Sequence, residues 1–394
     1  MSAGKSLNPL RLYTANNTVQ LIRGGKAYFD LLEELIGKAR HTIHLQTYIY
    51  SEDETGQRIT NALVSAVGRG VKVYLLVDGY ASQGLSRSFI RDMKLAGIHF
   101  RWFEPVLKSR HFYFGRRLHH KVFVADAYTS LVGGINISNR YNDMEDVPAW
   151  LDWAVCCTGQ VSAQLNRVCV RVWNRSDWNP QKRYVRDAVP SAEWPDEQCH
   201  VRVRVNDWVR GRNQISRSYL EMLKNARSTV MIMSSYFLPG RAIKRNLMAA
   251  VRRGVKVKLI IAGRSDVAIA KQAERWMYAW LFRNGIEVYE YTRNVLHAKI
   301  STYDTKWVTV GSYNLNNISA FASIELNLDI MNGDFARTAE AALQRIIEED
   351  CERVLPEQFT RKNHLLMQFW QWLCYQVIQV AFFVFTFYFK PLKD

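Results

Sequence analysis

Two short segments of this chain carry residues that could do chemistry at phosphorus. One holds His119, Lys121 and Asp126 in the order His-x-Lys-x4-Asp. The other holds His297, Lys299 and Asp304 in the same order. Each continues to a glycine and an asparagine, Gly133 and Asn136 in the first, Gly311 and Asn314 in the second. All five positions repeat at one offset of 178 residues. At average composition a single His-Lys-Asp triplet of this spacing has a chance on the order of 10⁻⁴ per start position. Two copies with the same extension are not an accident of composition.

Both triplets lie in apolar runs, HHKVFVAD and HAKISTYD, that read as strands. Residues two apart on a strand share a face, so His119 points with Lys121 and His297 with Lys299. A pseudo-twofold relation between two such halves would gather two imidazoles and two ammoniums around one centre. Such a centre suits phosphoryl transfer. The lysines and the amides of Asn136 and Asn314 would bind non-bridging oxygens. One histidine would attack phosphorus. The other would protonate the leaving oxygen and then deprotonate the acceptor. An imidazole pKa near ~6.5 allows both roles close to neutral pH. The cations are built in, so no metal or other cofactor is expected.

A nucleophilic histidine needs its second nitrogen held. Asp126 and Asp304 fall seven residues past their histidines, on the odd face of the strand, and are expected to be structural. Asp152, in WLDWAV, and Glu325, in SIELNL, each lie in a short apolar run that reads as the next strand. By spacing, Asp152 is assigned to orient His119 and Glu325 to orient His297.

The elements that must position these groups come in duplicate. RGVKV occurs at 69–73 and again at 253–257. Upstream, KARHTIHLQTYIY (38–50) matches NARSTVMIMSSYF (225–237), and downstream AGIHFRWF (96–103) matches NGIEVYEY (284–291). In each half a helix (28–39; 216–226) leads into an apolar strand. A second helix (58–69; 242–253) ends at Gly70 or Gly254, and VKVYLLVD or VKVKLIIA follows as a buried strand. The alternation predicts an α/β fold: two tandem α/β sandwich repeats related by a pseudo-twofold and sharing one active site. The expected boundaries are an N-terminal segment at 1–16, repeats at 17–176 and 201–360, a proline-bearing linker at 177–200 and an apolar tail at 361–394.

Ten extra residues precede the first catalytic strand, within EPVLKSRHFYFGRRL. This insertion mixes Lys108, Arg110, Arg116 and Arg117 with Phe112, Tyr113 and Phe114. Basic and aromatic residues at the mouth of a site suit lipid headgroups and acyl chains. Nucleic acid would accept the same composition, and an ordinary surface loop is the plain alternative.

Lys and Arg number 53 against 36 Asp and Glu, a net charge of +17, which implies a polyanionic partner. An apolar share of 48% and a charged share of 23% exclude a wholly disordered chain and a polytopic membrane protein. The six cysteines form no C-x-x-C pair and fit a reducing compartment. The N-terminus lacks an apolar h-region, so the chain is expected to begin in the cytoplasm. The other end differs. His364 to Phe389, 26 residues, contain no Lys, Arg, Asp or Glu. That exceeds the ~20 residues needed to span a bilayer. Gln368, Gln371, Gln376 and Gln379 fall within an arc of roughly 140° on a helix, so the first part is amphipathic. Trp370, Trp372, Tyr375 and Tyr388 suit a membrane interface. The tail is expected to contact a membrane; a helix docked on the protein's own core is the competing reading.

The paired motifs resemble the phospholipase D superfamily, with its two HKD motifs, across residues 17–360. The resemblance implies a phosphohistidine intermediate at one shared site, with His119 as nucleophile and His297 as general acid and base. Within the superfamily, LQTYIY, RGVKVYLLVDGYAS and GGINIS resemble bacterial cardiolipin synthases of the shorter type, without N-terminal transmembrane helices. Gln46 stands where many of those carry an acidic residue. The implied activity is a phosphatidyltransferase that moves a phosphatidyl group from one phospholipid to a hydroxyl of another, such as phosphatidylglycerol. The implied setting is the cytoplasmic face of the bacterial cell membrane, with an anionic phospholipid membrane as partner and no specific nucleic acid. Two other readings stay open: a phospholipase D, phosphodiesterase or nuclease of the same superfamily, and an inactive scaffold that binds anionic lipid. Intact motifs in both halves speak against the scaffold, and the apolar tail against the nuclease.

Overall fold

A computed structural model describes residues 12–105, 116–175, 193–265, 267–316, 323–362 and 365–388. The first half runs β1 (Thr14–Arg23), α1 (Lys26–Lys38), β2 (Thr42–Thr47), α2 (Glu54–Gly68), β3 (Lys72–Asp78), α3 (Arg87–Leu95), β4 (His99–Phe103), β5 (Arg117–Leu118), β6 (Lys121–Ala125), β7 (Thr129–Gly133), β8 (Trp153–Gly159) and α4 (Gln160–Arg175). The second half runs β9 (Gln198–Asp207), β10 (Arg212–Asn213), α5 (Gln214–Asn225), β11 (Thr229–Ser234), α6 (Arg241–Arg252), β12 (Lys256–Ala262), α7 (Ala268–Trp276), α8 (Tyr278–Arg283), β13 (Glu287–Tyr291), β14 (Lys299–Tyr303), β15 (Trp307–Gly311), β16 (Ser323–Met331), α9 (Gly333–Asp350) and β17 (Cys351–Arg353). Two helices close the chain, α10 (Pro356–Lys362) and α11 (Leu365–Tyr388).

The strand pairings repeat from half to half. The first sheet has the order β4-β3-β2-β6-β7-β8-β1, and the second β13-β12-β11-β14-β15-β16-β9, with β17 added beyond β13. β2, β3 and β4 are parallel, as are β11, β12 and β13, while the motif strands β6 and β14 join antiparallel. The last four residues of β3 and of β12 are all buried, which is why their sequences are continuously apolar. The helices before them stop at Gly70 (φ 89°) and Gly254 (φ 90°), a backbone that disfavours side chains with a Cβ.

Three apolar cores follow from this layering. One lies between the two sheets and takes residues from both halves, with Leu165 and Trp173 of α4 and Ala339 and Leu343 of α9 packed on it. A second lies under α1, α2 and α3. The third lies under α5 to α8 and includes Cys374 and Ile378 of α11. The sheets are also joined through their backbones, at Thr14 and Asn16 with β9 and at β5 with β16.

Two expected boundaries move. β1 begins at Thr14, inside the segment set aside as 1–16, and β9 begins at Gln198, inside the expected linker. Each is an edge of the joint between the sheets, where pairing to the other half recruits residues that local composition reads as loop.

The tail is docked on the protein, as the competing reading had it, and leaves one face exposed. Helix α11 docks on the second half: Gln371, Cys374 and Ile378 are buried, and Lys244 Nζ donates to the Tyr375 hydroxyl at 3.3 Å. The opposite face carries Leu366, Phe369, Trp370, Val377 and Val380, all exposed. The glutamine arc is thus turned inward and the apolar arc outward, the reverse of an ordinary surface helix. Among the described residues no helix is long and apolar enough to cross a membrane.

Candidate active site

Each catalytic strand is entered through a short contact with the other half. β5 pairs in parallel with Ser323–Ile324 of β16, and His119 N donates to Ile324 O at 3.0 Å. On the other side Leu151 bridges to Leu296, and His297 N donates to Leu151 O at 2.8 Å. The backbone therefore lays each histidine beside the carboxylate of the opposite half. His119 Nδ1 is 2.9 Å from both oxygens of Glu325. His297 Nδ1 is 2.6 Å from Asp152 Oδ2. The carboxylates are the expected ones, but the same-half pairing inferred from spacing is wrong. Spacing along one chain does not register the exchange of β5 and Leu151 between halves. An ionised carboxylate only accepts, so each Nδ1 donates and each Nε2 is left as the nitrogen available for chemistry.

The lysines lie beside them, almost fully buried. Lys121 Nζ donates to His119 O at 2.6 Å and sits 5.2 Å from the centre of the Tyr48 ring. Lys299 Nζ donates to Ser235 Oγ at 3.0 Å and to His297 O. Burial pushes the Lys121 ammonium down to about 7, with the charge of Glu325 opposing the shift. Burial also holds His119 below the usual imidazole range and pushes His297 down to about 4. Lys121 and Lys299 both act on both histidines, so the four groups share one field. Asn136 Oδ1 accepts from Ile49 N at 3.0 Å, which leaves its amide NH2 to donate, and Asn314 is buried with its Oδ1 unpartnered among the described residues.

Asp126 and Asp304 do not reach this centre. They sit in the turns after β6 and β14, not on the strands, at φ 53° and 50°. The Asp126 carboxylate accepts from Arg40, His41 and Thr42 N, each at 2.8 Å, and Asp304 from Arg227, Ser228 and Thr229 N at 2.7–2.9 Å. Each ties its motif turn to the start of the neighbouring strand, a structural role.

The inserted loop is only partly as expected. Arg116 is an ion-pair residue: Nη1 meets Glu104 Oε1 at 2.6 Å and Nη2 meets Asp207 Oδ2 at 2.9 Å. Two carboxylates already hold it, so it is not free for headgroups. Arg117 is half-buried, 4.9 Å from the Tyr80 ring centre. Lys108 and Arg110 lie outside the described residues.

Several site residues escaped the reading of spacing. The rings of Tyr48 and His119 lie 4.8 Å apart, and Tyr141 and Trp150 lie 5.1 and 6.3 Å from His297. Ser312 Oγ donates to Glu325 Oε2. Its counterpart at the 178-residue offset is Gly134, where an added Cβ would strike the Asp152 carboxylate. The repeated motif extension held that signal. Asp78 accepts from Leu118 N at 2.8 Å and so fixes the approach to His119; Ala262 ends the matching strand of the second half. Gln46 is spent on His120, 2.9 Å away on the opposite face from His119. Among the described residues no cluster of three His, Cys, Asp or Glu could hold a metal.

Residues 32–156 and 219–347 match the family described as Cardiolipin synthase, PLD-like domain, so both halves carry it. The chain belongs to this family. It is 36% identical to Cardiolipin synthase B of Salmonella typhimurium over 86% of this chain and 82% of that protein. It is 34% identical to Cardiolipin synthase B of Escherichia coli K12 over the same shares. The crystal structure of phosphatidylserine synthase from Haemophilus influenzae superposes with a TM-score of 0.72 over 97% of this chain and 98% of that one, at 15% identity, and so speaks to the fold. With the family goes the class: this chain is an enzyme, a phosphatidyltransferase.

Proposed function

We propose that this enzyme makes cardiolipin by moving a phosphatidyl group from one phospholipid to a glycerol hydroxyl of phosphatidylglycerol, through a phosphohistidine on His119. The observation that carries this is the crossed arrangement, two histidines each held by a carboxylate of the other half beside two buried lysines. An anionic phosphodiester is drawn between Lys121 and Lys299, and its charge offsets the field that depresses both imidazoles. His119 Nε2 then attacks phosphorus. The P–O bond to the leaving alcohol breaks as His297 delivers a proton to that oxygen. Asn136 and Asn314 donate to the non-bridging oxygens. In the second step the acceptor hydroxyl loses its proton to His297 and attacks phosphorus, and the P–N bond to His119 breaks. With phosphatidylglycerol in both roles, the products are cardiolipin and glycerol.

The setting we propose is the surface of an anionic membrane. Helix α11 supports it, because an outward apolar face with inward glutamines has no reason to persist in water. The helix lies along the interface, held against the protein through Cys374 and Ile378. The net charge of +17 draws the protein to that surface.

The test is to incubate the purified protein with phosphatidylglycerol vesicles, with and without phosphatidylethanolamine, and to identify the lipids by mass spectrometry. Cardiolipin should form with wild type and be lost with His119→Ala and with His297→Ala. Normal turnover in either variant refutes the two-histidine mechanism. Leu366→Glu with Trp370→Glu should abolish sedimentation with anionic vesicles and leave the fold intact; unchanged sedimentation removes α11 from the membrane contact.

A further inference from the structure

A groove of about 580 Å³ opens beside the second motif, between the starts of α5 and α6 and the segment Tyr313–Asn316. We propose that it holds the acceptor phospholipid, an inference that rests on the transferase reading above. Among the described residues its lining contains Arg212 and Arg241 and no carboxylate. Neither arginine makes an ion pair with another described residue. Leu220, Pro239, Ile243 and Leu315 form an apolar wall. Two cations against an apolar wall select an anionic amphiphile, which is what a phospholipid with a phosphodiester headgroup is.

The duplication supplies an internal control. At the start of α1, Lys26 N donates to the Asp143 carboxylate at 2.9 Å, and a Cβ on Gly25 would strike that carboxylate. At the start of α2, Asp53 accepts from Gly56 N at 3.0 Å. The first half thus sets two acids of its own at these helix starts. In the second half, the 187-residue offset that aligns 38–50 with 225–237 puts Arg212 where the first half has Gly25. The start of α6 is Gly240 with no side-chain cap, and Ile215 N of α5 is capped by the neutral Asn206 at 2.8 Å. Where one half is capped by acids, the other is basic and lines a groove.

Position assigns the occupant. Tyr313 and Leu315 line the groove and flank Asn314, which follows His297 in its motif. His297 is the group that takes the proton from the acceptor hydroxyl. A lipid whose phosphate sits at Arg212 and Arg241 presents its headgroup to the half that carries the base, while the donor's phosphorus is bound to His119 of the other half. Water, which has neither phosphate nor chain, gains nothing from the groove.

That difference is the test. Arg212→Glu, Arg241→Glu and the double variant are assayed on phosphatidylglycerol in mixed micelles, following glycerol, cardiolipin and phosphatidic acid, with thermal melting as the control for folding. Glycerol release in the first turnover reports the first step, cardiolipin the lipid acceptor and phosphatidic acid the water acceptor. The double variant should lose about tenfold in the ratio of cardiolipin to phosphatidic acid while glycerol release stays within about threefold. If charge reversal lowers the melting temperature, Arg212→Gln with Arg241→Gln should show the same direction. A parallel fall of both products, or an unchanged ratio, overturns the proposal and leaves the transferase reading standing. A wild-type protein that releases glycerol but forms only phosphatidic acid overturns both.

Discussion

Replacing Glu325 by Gln keeps the shape of the side chain and removes its charge. His119 then loses a partner that holds Nδ1 from both oxygens at 2.9 Å in a fully buried position. A hydrogen bond to a charged group contributes about 1.5–3 kcal/mol, roughly 10- to 150-fold in rate. The amide can also donate, which admits the tautomer with the proton on Nε2 and no lone pair for phosphorus; in a serine-protease triad the same change costs about 10⁴-fold. Glu325→Gln should therefore lower kcat by about 10²- to 10⁴-fold. The step affected is the more informative result. A phosphodiester donor with a good leaving group departs without a proton, so its first step needs the nucleophile and not the acid. On that donor the burst of leaving group from Glu325→Gln should be slowed by the same roughly 10²- to 10⁴-fold, and His119→Ala should give no burst. The burst from Asp152→Asn should match that from His297→Ala and stay within about threefold of wild type. Stopped-flow absorbance reads the burst directly. If Glu325→Gln instead copies His297→Ala, the carboxylates serve the histidines of their own halves, and the crossed reading of the site is wrong.

Four further outcomes follow from the same contacts. The buried Lys121 ammonium titrates near about 7, so kcat/KM should fall as pH rises through that value, and Lys121→Arg should move the alkaline limb away; a limb that stays in place belongs to another group. The linkage has a sign, because an unfolded lysine titrates near ~10.4 and binds the proton that the folded one has lost, so chemical denaturation should show Lys121 costing stability at pH 7 and below and costing progressively less as pH rises from about 7 toward 10. Asp126→Ala leaves three backbone N–H groups without their acceptor, for a loss of about 2 kcal/mol in urea unfolding and little change in kcat per folded molecule; a large selective loss of kcat would place Asp126 in the chemistry. Arg116→Ala takes the ion-pair partner from Glu104 and leaves Asp207 with Arg210 at 3.5 Å, and should destabilise by about 2–3 kcal/mol; a fully stable variant with a raised KM would return Arg116 to substrate binding.

Much of this was legible in the residue order. The 178-residue repeat located both histidines, both lysines and both asparagines, because a strand keeps residues two apart on one face whatever surrounds it. The apolar setting of Asp152 and Glu325 marked them as the orienting carboxylates. Their partners were not legible, because β5 and Leu151 pair across halves and no local pattern encodes which sheet a two-residue strand will join. Arg116 misled for a related reason. Its neighbours in sequence are basic and aromatic, while its neighbours in space are Glu104 and Asp207, the latter 91 residues away. In the tail, the arc of glutamines was visible, but which way it faces depends on α7, which is distant in the chain.

The crossing also explains why the duplication is kept in one chain. A single half holds a histidine, a lysine and an asparagine, but the carboxylate it carries points to the other half's histidine. Neither half alone has an oriented histidine, and each needs the carboxylate of the other. Once joined, the halves are free to diverge at positions the crossing does not constrain. Gly134 leaves Asp152 room to sit against His297 at 2.6 Å, whereas Ser312 donates to Glu325 and shares its charge. Asp78 anchors the approach to His119, whereas Ala262 leaves the second half without an equivalent. The first half seals its helix starts with Asp53 and Asp143, whereas the second leaves a basic groove. On the roles proposed above, these differences lie along the direction of the reaction, with a firmly held nucleophile on one side and an open place for the incoming alcohol on the other. A symmetric pair of motifs can therefore run an asymmetric reaction, because the asymmetry sits in the residues around the motifs and not in the motifs themselves.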